Sequence, residues 1–441
     1  MSVELLTLLL FGSLIVLLAL GLPVPFCLGG IAIVFLFLVW DPPYYQAILW
    51  DTMGILGNFL YLAIPLFVFM GCMLERSGIG DDLYGMIHRW IGHVAGGLAM
   101  GTVFICAVLA AMVGLSAPAS IMMGITALPS MLKRGYDKRM IIGSIAAGGT
   151  LGILIPPSVL TIIYSMVAME SPRRLFMGSI LPGVILSVIF ILYIGIRCRL
   201  EPAMGPPIPR EERAGLREKF VSLWAMLPPI FLIILVLGSI LGGLATVAES
   251  AAVGAAGTIL CAAFVRKLTW QNLKETTYQT LRLTSMITWI LIAAECFSRA
   301  YVVVGVYQFL QELSMSLPFG KWSMIILIQI VWFISGCFLD PFGIMVVTVP
   351  VFLPVMNAFG LDATWFGVLF LVNMEMAYIT PPVGLNLFIL KAVAPEGTTM
   401  WDVYCSVTPF VLLLAFVLVL IILFPNIVLW LPNLAYGVPA H

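Results

Sequence analysis

A stretch of 30 residues recurs in outline in this chain, and that repetition limits the available folds more than any other feature. Leu128 to Pro157 reads LPSMLKRGYDKRMIIGSIAAGGTLGILIPP, and Leu353 to Pro382 reads LPVMNAFGLDATWFGVLFLVNMEMAYITPP. Leu128, Pro129, Met131, Gly135, Asp137, Pro156 and Pro157 return as Leu353, Pro354, Met356, Gly360, Asp362, Pro381 and Pro382, every pair 225 residues apart. Isolated identities arise easily in an apolar chain. A shared Pro-Pro ending at a fixed distance from a shared Gly-x-Asp marks a duplication. Two copies of one unit call for a two-fold architecture.

Loop charge indicates how the copies are related. The turn Lys133-Arg134-Gly135-Tyr136-Asp137-Lys138-Arg139 carries four cations, whereas Asn357-Ala358-Phe359-Gly360-Leu361-Asp362-Ala363 carries none. The positive-inside rule puts the first turn in the cytoplasm and the second on the other side. The halves are therefore expected to be inverted in a membrane, the arrangement of secondary transporters. Composition supplies the membrane. The chain is 62% hydrophobic and 10% charged, with mean hydropathy +1.13. Apolar runs able to cross roughly 30 Å of hydrocarbon recur along its length. Zero net charge gives no reason to expect a nucleic-acid partner. Leu5 to Leu20 follows Glu4 and precedes Gly21-Leu22-Pro23-Val24-Pro25, so it reads as a retained first helix and not a signal peptide.

No cofactor or enzyme chemistry is indicated. The eight cysteines (27, 72, 106, 198, 261, 296, 337 and 405) stand singly and read as packing residues. The three histidines form no metal motif, and no Gly-rich phosphate loop occurs.

Taken in order, the first half (1–196) begins with spans 4–20 and 24–40, the latter stopped by Asp41-Pro42-Pro43. A short outer interfacial helix over 44–56, a span over 58–75 and an amphipathic cytoplasmic helix over 76–93 follow. Both 76–93 and the 133–139 turn are basic, so 95–132 must enter and leave by one face. It reads as a re-entrant hairpin of two half-length arms with Gly114-Leu115-Ser116-Ala117-Pro118-Ala119-Ser120 at its tip. The alternative is an ordinary helical pair with one basic loop on the wrong side. A crossing over 140–168 is interrupted at Gly148 to Ser158, where two prolines behind three glycines unwind it. Residues 175–196 return inward. That leaves Arg173 and Arg174 outside, where only a headgroup contact accounts for them.

The linker 197–219, the most basic hydrophilic segment, reads as a solvated cytoplasmic connector. The second half (220–435) repeats the order: spans 221–242 and 244–265, an amphipathic stretch 267–282, a crossing 284–300, and 302–320 in parallel to 76–93. A hairpin over 322–356, with Gly336 to Gly343 at its tip, precedes a broken span 365–391 and a last span of about 407–430. The fold expected is an all-α polytopic membrane protein of two inverted-topology repeats. Each holds about five transmembrane helices and one re-entrant hairpin.

Two tips and two Pro-Pro breaks arriving from opposite faces would meet near the midplane. Half-helices there aim their N-terminal amides, worth about half a positive charge each, at whatever is bound. Unwound carbonyls and the hydroxyls of Ser116, Ser120, Thr150, Ser158 and Thr380 suit a hard cation such as sodium. An anionic organic substrate driven by sodium follows from that geometry. Four charges fall within apolar segments: Glu249, Glu295, Asp340 and Glu375. Asp340, at a tip, is the candidate for function, its alternative being a helix cap. Glu249 and Glu375 stand open between a site role and bonding freed backbone, and Glu295 is expected to pair with Arg299.

Six stretches are familiar in combination: IPLFVFMG (64–71), GLSAPASIMMG (114–124), GGTLGILIPPS (148–158), TVAESAAVGA (246–255), CFLDPFGIMVVTVPVFLPV (337–355) and ITPPVGLNLF (379–388). In this order over nearly the whole chain, they resemble the large membrane subunit (M, or DctM-type permease) of tripartite ATP-independent periplasmic (TRAP) transporters. The resemblance implies a multi-pass protein of the bacterial inner membrane that imports an organic acid with sodium by an elevator mechanism. It also implies two protein partners, a small four-helix membrane subunit and a periplasmic substrate-binding protein. No small-subunit sequence is expected within the chain, since its first half begins at residue 4. Carried over by position, the substrate and cation region falls on Ser116, Ser120, Gly149, Thr150, Pro156, Pro157, Asp340, Gly343, Thr380, Pro381, Pro382 and Gly384. Sodium would lie near Ser116, Thr150, Asp340 and Thr380. Two other readings are a stand-alone divalent-anion or ion-transporter type symporter, which needs no binding protein, and a polytopic membrane enzyme, for which no catalytic cluster lines a common face.

Overall fold

The computed structural model of the chain describes residues 2–39, 45–303, 305, 320–395 and 397–437, and every regular element among them is helical. α1 (Val3–Ala19) starts at Ser2, whose hydroxyl accepts the Leu5 N–H, and α2 (Val24–Val39) follows a turn at Gly21. α3 (Tyr45–Leu56) occupies the stretch expected for an interfacial helix, while Asp41-Pro42-Pro43 lies outside the described residues. α4 (Ala63–Arg76) leads into α5 (Ile79–Ile91), which buries Leu83, Tyr84, Met86 and Ile87 and leaves Asp81, Asp82 and Arg89 exposed. α6 (Gly97–Val113) and α7 (Ser116–Lys133) make the first hairpin, α8 (Lys138–Leu154) and α9 (Val159–Val167) the first broken helix, and α10 (Pro172–Leu200) closes this half.

The second half opens with a segment assembled from α11 (Leu216–Ser222), α12 (Leu227–Ile233) and α13 (Ser239–Leu241), the last two joined by a π turn. α14 (Val247–Phe264) and α15 (Trp270–Val303) come next, then the second hairpin, α16 (Lys321–Gly336) and α17 (Pro341–Ala358). α18 (Ala363–Tyr378) and α19 (Leu385–Val393) form the second broken helix, followed by α20 (Met400–Leu423) and α21 (Asn426–Tyr436). The spacing of the sequence repeat reappears in the element starts: α7 and α17 begin at 116 and 341, α8 and α18 at 138 and 363. Among the described residues eight helices are long and apolar enough to cross a membrane, and four shorter apolar helices accompany them.

α8 and α18 form the centre. Met140 to Leu154 and Thr364 to Ala377 are buried throughout, so these two helices meet protein on every side. The sequence of α8, rich in Gly, Ala and Ser, permits this because small side chains let α6, α7, α18 and α20 approach its backbone. At Gly143 a Cβ would fall 2.4 Å from the Ser406 carbonyl oxygen. Around this core, α2 packs along α15, and α4 lies against α14 and α15. Exposed Leu8, Ile15, Phe26, Leu38, Trp224 and Phe231 leave the outer faces of α1, α2 and the α11–α13 segment apolar, as lipid contact demands.

Several expectations are corrected. The hairpin arms α6 and α7 hold 17 and 18 residues, and at 1.5 Å per residue each is roughly 25 Å long, not half-length. Pro118 falls in the first turn of α7, where its missing N–H would have had no helical partner. The stretches 267–282 and 284–300 are one helix, α15, with no Gly or Pro between them to end it. The last span starts at residue 400, where Thr399 and Asp402 form a capping box, and stops at Pro425. α21, which was not expected, then packs on α10. The stretch 302–320 lies almost wholly outside the described residues.

Arg173 and Arg174 have protein partners. Arg173 Nη2 donates to the Leu241 carbonyl at 2.6 Å, with its guanidinium carbon 5.7 Å from the Tyr436 ring centroid. Arg174 Nη2 pairs with Asp362 Oδ2 at 2.7 Å, which puts it beside the cation-free 357–363 turn. Two arginines on that side are thus held by a carbonyl, an aromatic face and a carboxylate.

Nor is the linker a freely solvated connector. Gly205 O accepts the Gly96 N–H at 2.8 Å, Ile208 N–H donates to Gly92 O at 2.9 Å, and Met204 O accepts the Asp137 N–H at 3.1 Å. Arg134 pairs with Glu212 at 2.8 Å, and Trp90 Nε1 donates to Lys219 O at 2.9 Å. The loop between α5 and α6 and the turn before α8 leave backbone groups unpaired, and the linker satisfies them. Nearby His88 titrates below its usual range, first because burial disfavours its cation and then because Arg134 repels it, so arginines and lysines supply this face's charge.

The strap is testable by limited proteolysis. Ile208 is 4% exposed, so burying a carboxylate in its place through Ile208→Asp should free the segment. Trypsin should then cut within 197–217 in the variant at least ten times faster than in the wild type. Equal cleavage would mean that the linker is loose in both.

Candidate functional site

The two hairpin tips and both helix breaks border one cavity of about 190 Å³. Gly114 to Pro118 of the first tip and Pro341 and Phe342 of the second wall it, with Ile153 and Leu160 flanking the first break and Tyr378 at the second. Val68 of α4 and Leu283, Met286 and Ile287 of α15 close it from the side.

The first tip is built on the first break. Gly114 ends α6 in the left-handed conformation (φ 67°), and its carbonyl accepts the Val159 N–H at 3.1 Å. A Cβ there would lie 2.2 Å from the Pro157 carbonyl oxygen, so only glycine lets tip and break touch. One turn into α7, Ser120 lies against Gly149, where a Cβ would stand 1.8 Å from Ser120 Oγ. Ser158 caps α9 by accepting the Thr161 N–H at 3.4 Å. Ser116, the first residue of α7, accepts a hydrogen bond at 2.7 Å from Asn386 Nδ2 in the second half.

The second tip is held differently. Asp340 caps α17, its Oδ1 accepting the Gly343 N–H at 3.0 Å, and Pro341 at the first helical position loses no helical bond. Gly343 packs on α2, where a Cβ would fall 2.8 Å from Val24 Cγ1. In the second break, Thr380 Oγ1 donates back to Met376 O at 2.7 Å, Pro382 O accepts the Tyr404 hydroxyl at 2.8 Å, and Gly384 (φ 46°) turns the chain into α19. The Pro156-Pro157 and Pro381-Pro382 bonds are both cis.

Behind the cavity, Thr150 Oγ1 contacts Glu375 Oε1 at 3.1 Å across a sequence separation of 225, the repeat distance itself. Glu375 is fully buried, and its Oε2 has no partner.

The sequence-predicted residues thus gather around two tips and two breaks, but not as one cluster of ligands. Of the four expected around sodium, Ser116 lines the cavity; Thr150 is turned to Glu375, Asp340 to its own helix and Thr380 to Met376. Glu249 completes a capping box with Thr246 and sits at the exposed start of α14. The expected Glu295–Arg299 pair is replaced, because Arg299 forks onto both oxygens of Asp51 on α3. A guanidinium matches two coplanar oxygens better than the single approach open to a residue one helical turn away. Sequence reasoning missed Asn386, and the buried pair in which Asn373 Nδ2 donates to Gln329 Oε1 at 2.8 Å. The available signal was the same for all three: an amide inside an apolar run.

Chemically, the cavity offers the N-termini of α7 and α17, the hydroxyl-bearing side chains of Ser116 and Tyr378, and otherwise apolar walls. Helix N-termini favour an anion such as a carboxylate. Among the described residues no group of three or more His, Cys, Asp or Glu could hold a metal ion.

Residues 11–427 match the family described as Tripartite ATP-independent periplasmic transporter, DctM component. The C4-dicarboxylate TRAP transporter large permease protein DctM of Rhodobacter capsulatus is 31% identical over 97% of this chain and 99% of its own length. The ectoine/5-hydroxyectoine TRAP transporter large permease protein UehC of Ruegeria pomeroyi is 29% identical over 97% and 99%. The fold is also similar to the crystal structure of the Alcanivorax borkumensis YdaH transporter (TM-score 0.62, 13% identity, 90% of each chain).

The Ser120–Gly149 contact yields a suppressor test. Gly149→Ala should push the first hairpin off α8 and cost about 1–3 kcal/mol, read as a lower Tm in detergent. Adding Ser120→Gly removes the colliding atoms and should restore most of the loss. A double variant no more stable than the single would show that this contact does not set the distance.

Proposed function

The chain belongs to the DctM component family of tripartite ATP-independent periplasmic transporters, and from that premise we propose that it carries an organic acid inward, driven by sodium, between two inverted repeats. It is a large permease, a multi-pass inner-membrane transporter and not an enzyme. The observation that carries the proposal is the single cavity walled by both hairpin tips and bordered by both breaks. Two helix N-termini favour a carboxylate there, and hydroxyls and carbonyls suit sodium. The repeated element starts and the Thr150–Glu375 contact between matching positions support the inverted-repeat reading. So does Arg174, which ties the start of α10 to the loop before α18. The named relatives take C4-dicarboxylates or ectoines, so the substrate class here rests on the helix termini and not on likeness. In the elevator reading, the hairpins and broken helices slide as a body against α1–α4 and α11–α15, with the cavity on the seam.

The partners proposed are a small membrane subunit and a periplasmic substrate-binding protein, in keeping with the family's tripartite organisation. In proteoliposomes the chain alone should show no uptake. Adding the small subunit, the loaded binding protein and an inward sodium gradient should start it. Comparable uptake by the chain alone would favour a stand-alone symporter.

Asp340 offers the sodium test. Asp340→Asn keeps the α17 cap, because asparagine caps as well as aspartate. Loss of the charge should raise the sodium concentration for half-maximal uptake, one charge-assisted contact being worth roughly 1.5–3 kcal/mol. Glu295→Gln, away from the tips, should leave that curve in place. An unchanged curve in Asp340→Asn alongside a shifted one in Glu295→Gln would remove the cation from the second tip.

The inverted arrangement is checked by labelling. Single cysteines in 133–139 should react with an impermeant maleimide from the cytoplasm only, and those in 357–363 from the periplasm only. Reaction of both from one side would end it.

A further inference from the structure

We propose that Asn386 is a positioning residue for transport, holding the tip of the first hairpin against the broken helix of the second half and so fixing the Ser116 hydroxyl in the cavity wall. The role assigned rests on the transport reading above; the tie itself is a matter of geometry. Asn386 is the second residue of α19 and fully buried. Its Nδ2 donates to Ser116 Oγ at 2.7 Å across 270 positions of sequence, while its Oδ1 is buried without a donor. A half-satisfied amide costs free energy in an apolar seam that a leucine would fill better, so packing stability does not account for an asparagine here. Because Nδ2 donates, the Ser116 hydroxyl keeps its own hydrogen and a lone pair for a ligand.

The bond sits at the cavity end of a continuous seam between α7 and α19. Further along it, a Cβ on Gly124 would lie 3.6 Å from Val393 Cβ and within 3.8 Å of Leu390, so the helices run close together. Among the described residues, the matching positions of the other half make no such tie. The positions 225 residues from Asn386 and Ser116 are Thr161 and Pro341, on α9 and α17, which also pack together. Pro341 offers no side-chain acceptor, and the buried Thr161 hydroxyl is without a partner. That tip is held by its own Asp340 cap instead. The first tip is therefore bolted to the opposite half, and the second is not.

Hydrogen–deuterium exchange on the intact protein tests the tie without any substrate. Asn386→Ala should speed amide exchange across 112–122 at least fivefold, with no change across 337–347 and a Tm within the error of the wild type. Ser116→Ala, which removes the acceptor from the other end, should give the same local signature and serves if Asn386→Ala does not fold. Asn386→Asp should restore protection, since its carboxylate accepts the Ser116 hydroxyl in the same geometry. In the reconstituted complex with its loaded binding protein, Asn386→Ala should raise the half-saturating concentration at least threefold and keep the maximal rate within twofold. Unchanged exchange across 112–122 in both alanine variants, or faster exchange everywhere with a falling Tm, overturns the proposal. Altered tip exchange in a protein whose wild type shows no uptake would leave the tie standing and sink the transport reading.

Discussion

Backbone interrupted among apolar helices has no water to turn to, and the described residues include two hairpin turns and two helix breaks of this kind. Each freed carbonyl and amide must find a protein partner, because an unsatisfied group in hydrocarbon costs several kcal/mol, about as much as a buried polar group without a bond. The bond from Val159 to Gly114 is the direct answer, since one break satisfies one tip. Ser158 and Asp340 answer for helix starts, and the Tyr404 hydroxyl for the Pro382 carbonyl. Once breaks and tips must serve one another they have to be adjacent. A cavity at their junction is what remains when four short ends meet without filling the space.

The same requirement explains the composition of α8 and α18. Helices that carry breaks must be sheathed in protein on every side, so their side chains must be small enough for close neighbours. Gly143, Gly148, Gly149 and Gly152 serve that purpose on α8. Full enclosure in turn permits polar groups such as Asn373 and Glu375, which would be untenable facing lipid.

Much of this was legible in the chain. Two prolines behind glycines interrupt a helix, and basic residues on both sides of 95–132 favour a helical hairpin there, so the helix ends at Gly114 and Ile155 lie in the stretches the residues pointed to, although the arms are longer than expected. What could not be read was partner choice. Arg299 has a glutamate one turn away and an aspartate 248 positions distant, and it took the distant one because α3 lies against α15. Arg173 and Arg174 looked misplaced for the same reason, their carbonyl and carboxylate being supplied by remote segments. The linker looked free because its own sequence is polar; only the unpaired amides of two other loops make it a strap. Among the site residues, sequence reasoning identified the residues that shape backbone, while the amides that bridge halves depend on which helices become neighbours.

The contact between Thr150 and Glu375 has an ancestral consequence. If the halves descend from one unit that once paired with a copy of itself, matching positions that touch must then have held the same residue facing itself. Two glutamates there would confront each other as buried carboxyls of like charge, and two threonines would leave no acid at the centre. Joining the two copies in one chain would have removed that mirror constraint, since each could then change alone. The present pair, one hydroxyl against one carboxyl, is a combination that no symmetric ancestor could have encoded.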